Sequence, residues 1–318
     1  MEDRYDVVVV GGGAAGLGGA LTLARARRSV LVIDAGQPRN APAAHVHAYL
    51  GREGVPPAQL LAEGRTEVTG YGGEVVQGRV ASAERLAGGG FRVVLDDGAT
   101  VQAGRLLIAT GLADELPDVP GLAERFGRDV LHCPFCHGWE VRDEAIGVLA
   151  TSPLAAEQAL LWRQWSKDVT LFLHTAPEPT DEEYEQLAAR GIAVIDGKVT
   201  GLEVTDDQLT GVTLASGQVI ACRALVVSPR MTARADVPVT LGLTVEDQER
   251  RGLVVGGYVA ADPMGATAIP GVWVAGNVSS LFDQVIMAAA AGARAGAAIV
   301  ADLMMQEISQ AVATRRAA

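Results

Sequence analysis

The chain has 318 residues and a formal net charge of −12, and this length suggests about two domains. The acidic balance argues against a nucleic-acid binder, whose affinity depends on clustered Lys and Arg. Three cysteines are too few for a secreted disulfide framework, so a close cysteine pair is expected to be catalytic or metal-binding.

The predicted elements of the first part of the chain follow from hydrophobic periodicity. A buried β-branched strand, a Gly-rich turn, a helix and a second strand together are typical of a βαβ unit. In order, we predict strand 5–10, a helix to 28, strand 29–33, an irregular segment 36–58, helix 59–70, a β-meander of strands 74–81, 91–95 and 100–102, and strand 105–109.

A second α/β rhythm begins near residue 114 and resembles the first in plan. It predicts strand 145–150, helix 154–165, strand 169–173, helix 181–190, strand 192–195, a second meander over 198–220 and strand 224–228. From 230 onward the chain leads to the apolar segment 271–277 and a long Ala/Gly-rich helix, with a tail expected to fray after Ser309. The second half is therefore predicted to be inserted into the first.

No membrane segment or cleavable leader is expected. The chain runs directly into the strand 6–10, and the most apolar stretch, 285–300, is interrupted by Arg294 and by glycines. These features predict a cytoplasmic protein.

The first chemical motif is Gly11-x-Gly13-x-x-Gly16, followed about 18 residues later by Asp34. Glycines permit a tight turn and a close approach of the backbone to a pyrophosphate, and the helix N-terminus supplies N–H donors for the phosphates. Asp34 would accept a hydrogen bond from a ribose hydroxyl. The alternative is a Gly-rich turn without a ligand.

The second motif is Cys133-Pro134-Phe135-Cys136-His137. Two cysteines three positions apart can close a small disulfide ring, and a helix N-terminus with a nearby histidine favours the thiolate. The alternatives are an inert pair and half of a zinc site completed by His132 or His137. A redox disulfide is favoured, because the remaining cysteine, Cys222, is distant in sequence and is expected to be a small buried hydrophobe.

Taken together, these motifs resemble those of the low-molecular-weight thioredoxin reductases. The motifs in question are Gly11–Gly16, Ala109-Thr110-Gly111, Cys133-x-x-Cys136 and 271–277, in that order and spacing. The resemblance covers nearly the whole chain and implies FAD, a homodimer, and an α/β fold of two Rossmann-like, three-layer ββα domains. It implies an FAD-binding domain made of 1–113 and 230–318, with an inserted central domain, 114–229, that carries the cysteine pair.

The resemblance also implies roles for individual residues. Cys136 would face the flavin, and Cys133 would be the outer thiol that exchanges with the substrate. Asn277 replaces the family's aspartate beside the ribityl chain. The residues assigned to FAD binding are Gly11, Gly12, Gly13, Ala14, Ala15, Gly16, Asp34, Ala35, Arg39, Asn40, His45, Val80, Ala109, Thr110, Gly111, Gly276, Asn277, Gln284 and Val285.

The central domain departs from the family where NADPH binds. The second Gly-rich turn is replaced by Ala150-Thr151-Ser152, whose side chains would crowd a pyrophosphate. The stretch 171–178 contains no Arg to pair with a 2′-phosphate, and it adds Glu178. The domain is therefore expected to keep the fold without the nicotinamide cofactor.

A further departure is His137, which follows the second cysteine where thioredoxin reductases have an acid. The segment resembles the dithiol oxidases that close disulfides in natural products such as gliotoxin and holomycin, and so does 38–40. A histidine suits proton removal from two substrate thiols, and Asp283 is a candidate to orient it. The expected activity is oxidation of a small-molecule dithiol through Cys133–Cys136 and FAD, with O2 reduced to hydrogen peroxide.

Three alternatives stay open from the sequence. One is a disulfide reductase fed by ferredoxin or by an atypically bound nicotinamide. The others are a redox-sensing flavoprotein without catalytic activity, and a structural zinc protein. No metal site is predicted for the favoured function.

Overall fold

The computed structural model describes residues 3–318. Its strands are β1 (Arg4–Val10), β2 (Val30–Asp34), β3 (Glu74–Gln77), β4 (Val80–Arg85), β5 (Phe91–Leu95), β6 (Thr100–Ile108), β7 (Leu112–Glu115), β8 (Val130–Leu131), β9 (Ile146–Leu149), β10 (Val169–Phe172), β11 (Ala193–Ile195), β12 (Val199–Thr205), β13 (Gln208–Leu214), β14 (Val219–Ala221), β15 (Ala224–Val226), β16 (Arg230–Ala233), β17 (Val245–Arg250), β18 (Leu253–Val259) and β19 (Val272–Val274). Its helices are α1 (Ala14–Arg25), α2 (Pro57–Gly70), α3 (Leu122–Arg125), α4 (Pro134–His137), α5 (Ala155–Trp162), α6 (Asp181–Ala189), α7 (Asp236–Thr240) and α8 (Val285–Ala317), with a 3-10 turn at Gly276–Val278.

The chain forms two compact units. The first unit comprises Met1–Ala41, Val55–Ala113 and Met231–Ala318, and the second comprises Pro42–Gly54 and Asp114–Arg230. The short segment 42–54 thus groups with the central part of the chain, although the sequence analysis assigned it to the flanking part. The predicted ranges of an FAD domain and an inserted domain stay a prediction.

The first unit is built on a seven-stranded sheet in the order β3-β2-β1-β6-β5-β4, with β19 also paired to β6. The strands β3, β2, β1, β6 and β19 run parallel, whereas β4, β5 and β6 pair antiparallel. The sheet is buried on both faces, because Val8 and Val10 enter one apolar cluster while Val7 and Val9 enter another. A run of β-branched residues is stable in this setting, since neither face meets water.

The second unit contains a five-stranded parallel sheet in the order β11-β10-β9-β15-β8, and a three-stranded antiparallel sheet, β12-β13-β14. Its largest fully buried side chain is Trp162 of α5, which packs beneath the parallel sheet with Ile146 and Val148. Parallel strands covered by helices in both units, together with the antiparallel strands, give a mixed α/β fold.

Helix α8 crosses α1 at unusually short range. An added Cβ at Gly292 would lie 1.8 Å from Ala15 O, and one at Gly18 would lie 2.6 Å from Ala289 O. The two helices approach so closely because glycine has no side chain at the crossing. Ile299 and Leu303 extend the contact into the apolar core beneath the sheet.

Three expectations about local structure were wrong. The segment 74–81 is two strands, of which β3 joins the parallel sheet beside β2, so the meander contains only β4, β5 and β6. The strands predicted at 100–102 and 105–109 form one strand, because Gly104 continues the ladder opposite β1 without a turn. The tail after Ser309 continues helix α8 as far as Ala317.

By length and composition alone, α8 is apolar enough to cross a membrane, contrary to the expectation that no segment is. The helix passes on length and composition despite Arg294, which was expected to interrupt the apolar stretch. In the structure, however, the first half of α8 belongs to the core of the first unit through Ala288, Ala295 and Ile299.

Candidate functional site

The turn between β1 and α1 has the geometry of a phosphate cradle. Gly11 has a φ of 105°, and an added Cβ there would lie 2.4 Å from Ala109 O. A Cβ on Gly16 would lie 1.8 Å from Gly11 O. These two positions therefore accept only glycine, because the backbone of the turn folds directly onto its neighbours.

The N-terminus of α1 is open to an anion. Gly13 is the N-cap, no side chain caps the helix, and the first turn carries no acidic residue. A Cβ on Gly13 would meet nothing within 4 Å. The N–H groups of the first turn and the space in front of them fit the pyrophosphate of a dinucleotide such as FAD.

Asp34 ends β2 beside this turn, since its Cγ lies 2.6 Å from the position of a Cβ on Gly12. Its Oδ1 accepts a hydrogen bond from the Gly36 N–H at 3.1 Å, and its Oδ2 is 3.0 Å from Arg65 Nη2. The sequence analysis did not identify Arg65, which reaches Asp34 from α2. An ordered, half-buried carboxylate at this place suits the ribose of the cofactor.

The turn after β6 lies against the same cradle. The Ala109 N–H donates to Val10 O at 2.8 Å, and Thr110 Oγ1 donates to Arg234 O at 2.7 Å. Gly276, with a φ of 75°, approaches Ala15 so closely that a Cβ would lie 2.8 Å from the Ala15 Cβ. The structure thus brings together four predicted sets of residues, namely Gly11–Gly16, Asp34, 109–111 and Gly276.

Asn277 organises the loop that leads into α8. Its Nδ2 donates to Ser280 O at 2.9 Å and to Asp283 O at 3.1 Å. The Asp283 carboxylate in turn accepts a hydrogen bond of 2.6 Å from Ser280 Oγ. Gln284 is the N-cap of α8, Val285 is its first residue, and the first turn carries no acidic side chain.

The remaining predicted cofactor residues occupy varied places. Ala35 follows β2. Arg39 and Asn40 lie in a turn closed by the Ala41 N–H, which donates to Pro38 O at 3.1 Å. Val80 begins β4 and is buried in the core.

His45 is exposed and belongs to the segment 42–54 of the second unit, where its ring centroid lies 5.9 Å from that of His47. The structure therefore does not group His45 with the flavin residues of the first unit, and its flavin role stays a prediction.

Cys133 and Cys136 form a disulfide, with their Cα atoms 5.3 Å apart. Cys133 follows β8 and is the N-cap of the one-turn helix α4, and the N–H groups of Cys136 and His137 both donate to Cys133 O at 3.2 Å. Within residues 3–318, no group of His, Cys, Asp and Glu side chains gathers in a way that could hold a metal ion. The two sulfurs are therefore bonded to each other in the structure.

His137 is half-buried directly after the disulfide. Burial lowers the pKa of its imidazole, while Glu140 raises it and His47 lowers it further. A low pKa keeps the imidazole neutral near neutral pH and able to accept a proton. Glu140 was not identified from the sequence, although a spacing of three residues from His137 is a signal for side chains on one face of a helical turn.

Two exposed aromatic side chains lie close to the disulfide along the chain. Phe135 is 61% exposed and meets Trp165 edge-on, with 5.6 Å between the ring centroids. Trp139 is 66% exposed and has the guanidinium carbon of Arg142 4.1 Å from its ring centroid. Exposed aromatic rings of this kind offer apolar contact area to a ligand at low entropic cost.

The turn after β9 differs from the cradle after β1. Here Ser152 Oγ accepts a hydrogen bond from the Leu154 N–H at 3.3 Å, just ahead of α5. The Ala150 N–H donates to Phe172 O at 2.9 Å, as the Gly11 N–H donates to Ile33 O at 2.8 Å in the first turn. The first turn of α5 also carries an acid, Glu157.

The segment after β10 is likewise committed to the fold. His174 has a φ of 47°, and its Nδ1 accepts a hydrogen bond from the Val199 N–H at 3.1 Å. Glu178 accepts a hydrogen bond from the Tyr184 hydroxyl, which raises the pKa of Tyr184 to about 12. Cys222 is buried, as the sequence predicted, and burial raises the pKa of its thiol to about 12.

Comparisons with known proteins agree with this geometry. Residues 5–296 match the family model described as pyridine nucleotide-disulphide oxidoreductase. Thioredoxin reductase sirT of Leptosphaeria maculans is 30% identical over 311 residues, covering 93% of both chains. A protein named "Probable thioredoxin reductase" from Arthroderma benhamiae is 37% identical over 154 residues, which are 46% of this chain and 38% of that protein.

Among solved structures, the crystal structure of HlmI superposes with a TM-score of 0.91 at 45% identity, covering 100% of this chain and 99% of that one. The range 5–296 that the family model matches spans the glycine cradle and the cysteine pair, and FAD is the cofactor of the thioredoxin reductase family. The chain therefore belongs to the pyridine nucleotide-disulphide oxidoreductase family, as an FAD-dependent thiol–disulfide oxidoreductase of the thioredoxin-reductase type.

Proposed function

We propose that this enzyme oxidises a small-molecule dithiol to a disulfide, through Cys133–Cys136 and FAD, with O2 as the final electron acceptor. One observation carries the proposal. The turn after β9, where a nicotinamide nucleotide would bind in such a fold, carries the side chains of residues 150–152 and is followed by Glu157 in the first turn of α5, whereas the equivalent turn after β1 is rich in glycine and is followed by no acidic residue. An enzyme with a flavin site but no phosphate cradle for NADPH is suited to run in the oxidising direction.

The charged residues near the turn after β9 also argue against the binding of NADPH. A 2′-phosphate needs Arg or Lys partners. The segment after β10 offers His174, which is engaged with the Val199 N–H, and Glu178, which would repel a phosphate. The structural likeness to HlmI also favours a dithiol oxidase over a reductase.

The reaction begins with thiol–disulfide exchange at Cys133. One substrate thiolate attacks Cys133 Sγ, which breaks the Cys133–Cys136 bond and leaves a mixed disulfide and the Cys136 thiolate. The second substrate thiolate then attacks the substrate sulfur of the mixed disulfide, which releases the substrate disulfide and the Cys133 thiolate. His137 accepts a proton from a substrate thiol, which is possible because burial keeps its imidazole neutral. Bound FAD would accept the electron pair from the reduced cysteines and pass it to O2, which takes up the two protons lost by the substrate thiols to give hydrogen peroxide.

The surroundings of the cysteines favour an apolar substrate. Phe135 and Trp139 are exposed beside the disulfide, and a compact apolar dithiol can bury its surface against them. A thiol substrate is supported by the family as a whole. A homodimer and a cytoplasmic location are further predictions that accompany the proposal.

The test is anaerobic mixing of the purified enzyme with NADPH and, separately, with a small dithiol. We expect dithiol to bleach the flavin, and air to restore its colour with one hydrogen peroxide formed per dithiol oxidised. Rapid bleaching by NADPH would instead indicate the alternative, a disulfide reductase with an atypical nicotinamide site, and bleaching by reduced ferredoxin would indicate a ferredoxin-fed reductase. Cys136→Ser should keep FAD but lose turnover, and a variant that still oxidises dithiol would refute the assigned relay.

A further inference from the structure

A cavity of about 480 Å³ lies within the first unit, at the end of the sheet where β1 begins. Its walls are the start of β1, the turn between β4 and β5, the middle of β6 and the C-terminal half of α8. The phosphate cradle lies beyond the opposite end of β1, and the seven residues of this strand span about 20 Å. The cavity is therefore separate from the predicted flavin site.

Glycine keeps this cavity open. A Cβ on Gly90, which has a φ of 77°, would lie 2.6 Å from Ala103 O, and a Cβ on Gly104 would lie 2.8 Å from Asp6 O. Backbone therefore forms the wall at these two positions, because no side chain fits there. Gly88 lines the cavity in a different way, since a Cβ there would meet nothing within 4 Å.

The acidic side chains that line the cavity already have partners in the protein. Asp302 accepts a hydrogen bond from Arg105, and Glu307 accepts one from Arg28. Asp6 Oδ2 accepts a backbone N–H at 3.0 Å. These carboxylates are thus committed to the fold, and Arg105, a third cation of the lining, is committed with them.

Two further cations line the cavity without such partners. Arg4 begins β1 and Arg85 ends β4, and both side chains are exposed. In the part of the chain that the structure describes, neither guanidinium takes part in a hydrogen bond or an ion pair. The strands run in the order β1-β6-β5-β4, so three strand spacings, about 14 Å, separate the two backbones. Two extended arginine side chains can reach a single small ligand across this span.

The rest of the lining offers apolar surface and neutral donors. Phe91 and Leu303 line the cavity and are buried. Gln306 Oε1 accepts a hydrogen bond from Arg105 Nη2 at 2.7 Å, which leaves the amide N–H groups of Gln306 as donors. A volume of this size is typical of small-molecule sites, in which an apolar lining carries a few polar groups.

We propose that this cavity binds a small organic anion. Its carboxylate or phosphate group lies between Arg4 and Arg85, and its apolar part lies against Phe91 and Leu303. The proposal is independent of the dithiol chemistry proposed above. Because α8 forms one wall and β1 another, a bound ligand holds α8 in its docked position, and a ligand that binds only the folded protein raises its Tm.

The test is calorimetric titration of the FAD-loaded protein at low ionic strength, so that the flavin occupies the phosphate cradle. Benzoate and phenyl phosphate are the anionic ligands, and benzamide is the neutral one. At least one anion should bind once per chain, and the stronger of the two shows whether the site prefers carboxylate or phosphate. At ten times its Kd the bound anion should raise Tm by about 3–6 °C.

Benzamide should not bind measurably, since it has no charge for the two arginines. Added salt should weaken the binding of the anion, because both guanidinium groups are exposed. If neither anion binds, or if benzamide binds as tightly as the anions do, the proposal is overturned.

Variants of the cavity lining locate the binding site. Arg4→Gln and Arg85→Gln should each raise Kd roughly tenfold, the effect of losing one charge-assisted hydrogen bond. Neither should change the Tm of the ligand-free protein, because no bond within the protein is lost. Arg92→Gln is the matched control, since this exposed arginine of β5 pairs with Glu84 and is not part of the lining. It should bind the anion like the wild type.

A second pair of variants changes the charge at the cavity without removing an arginine. Gly88→Asp and Gly88→Asn add side chains of similar size where a Cβ meets no atom, and only the added carboxylate of Gly88→Asp should weaken anion binding. If the anion binds equally to the wild type, Arg4→Gln and Arg85→Gln, it occupies another site and the proposal is refuted. Equal binding by Gly88→Asp and Gly88→Asn would refute it as well.

Discussion

Replacing Gly292 by alanine tests how closely α8 lies on α1. The added Cβ would stand 1.8 Å from Ala15 O, whereas ordinary contacts lie at 3.4–4 Å. The obstacle is backbone and cannot rotate away, so the two helices must separate. Overpacking of this kind costs about 3 kcal/mol at the upper end of the usual range. The gain in helix propensity from Gly to Ala offsets about 1 kcal/mol of that cost.

The expected net loss is thus about 2 kcal/mol, which for a unit of roughly 150–250 residues lowers Tm by about 4–8 °C. Thermal unfolding, monitored by circular dichroism, measures this change in Tm. Gly70→Ala is the matched control, because this exposed glycine ends α2 and an added Cβ would meet nothing within 4 Å. It should be neutral or slightly stabilising.

The same substitution should also weaken FAD retention. Gly11–Gly16 open α1 and Gln284 opens α8, so separating the helices moves both predicted cofactor contacts. The flavin absorbance per protein after gel filtration should fall in Gly292→Ala and stay at the wild-type level in Gly70→Ala. A Gly292→Ala protein as stable as the wild type and fully loaded with flavin would refute the argument from the crossing.

Three further outcomes follow from the second unit. Burial lowers the pKa of His137 below its ordinary 6.5. Because only the neutral imidazole is a base, kcat/KM for the dithiol should stay level as the pH falls to 6.5 and should drop only below it. A fall in kcat/KM centred above pH 6.5 would contradict this prediction. Burial raises the pKa of Cys222 to about 12. A thiol-reactive dye should therefore label two thiols in the reduced native protein and all three in denaturant. Labelling of three thiols in the native state would mean that Cys222 is accessible. Arg125→Ala removes a buried guanidinium and leaves the half-buried Asp129 carboxylate without the partner that bonds it at 2.6 Å, and should cost about 3 kcal/mol of stability in urea unfolding. A change below about 1 kcal/mol would show that solvent compensates the charge.

The sequence was sufficient wherever the signal is local. Gly11–Gly16 after a β-branched strand predicts a nucleotide-binding turn, because each glycine is required by atoms that lie close along the same βαβ unit. The pair Cys133 and Cys136 predicts a disulfide, since three positions bring the sulfurs within reach. The absence of glycines near Ser152 could likewise be read from the sequence, although the hydrogen bond from the Leu154 N–H to Ser152 Oγ could not.

The sequence was insufficient where distant segments meet. Nothing near His47 shows that it reaches Glu140, because this contact depends on how 42–54 folds against residues far along the chain. Strand β3 was assigned to a meander for the same reason. Its pairing with β2 is a long-range choice, and the four residues Glu74–Gln77 have no apolar–polar alternation that would select a partner.

The crossing of α1 and α8 has a consequence for biosynthesis. Ala15 and Gly292 are in backbone contact although nearly the whole chain separates them, so the first βαβ unit emerges from the ribosome long before its covering helix. The parallel sheet of the second unit, whose strands all lie between residues 130 and 226, can condense in the meantime. We therefore expect docking of α8 to be a late step of folding, and we expect the cradle formed by Gly11–Gly16 to be complete only after that step.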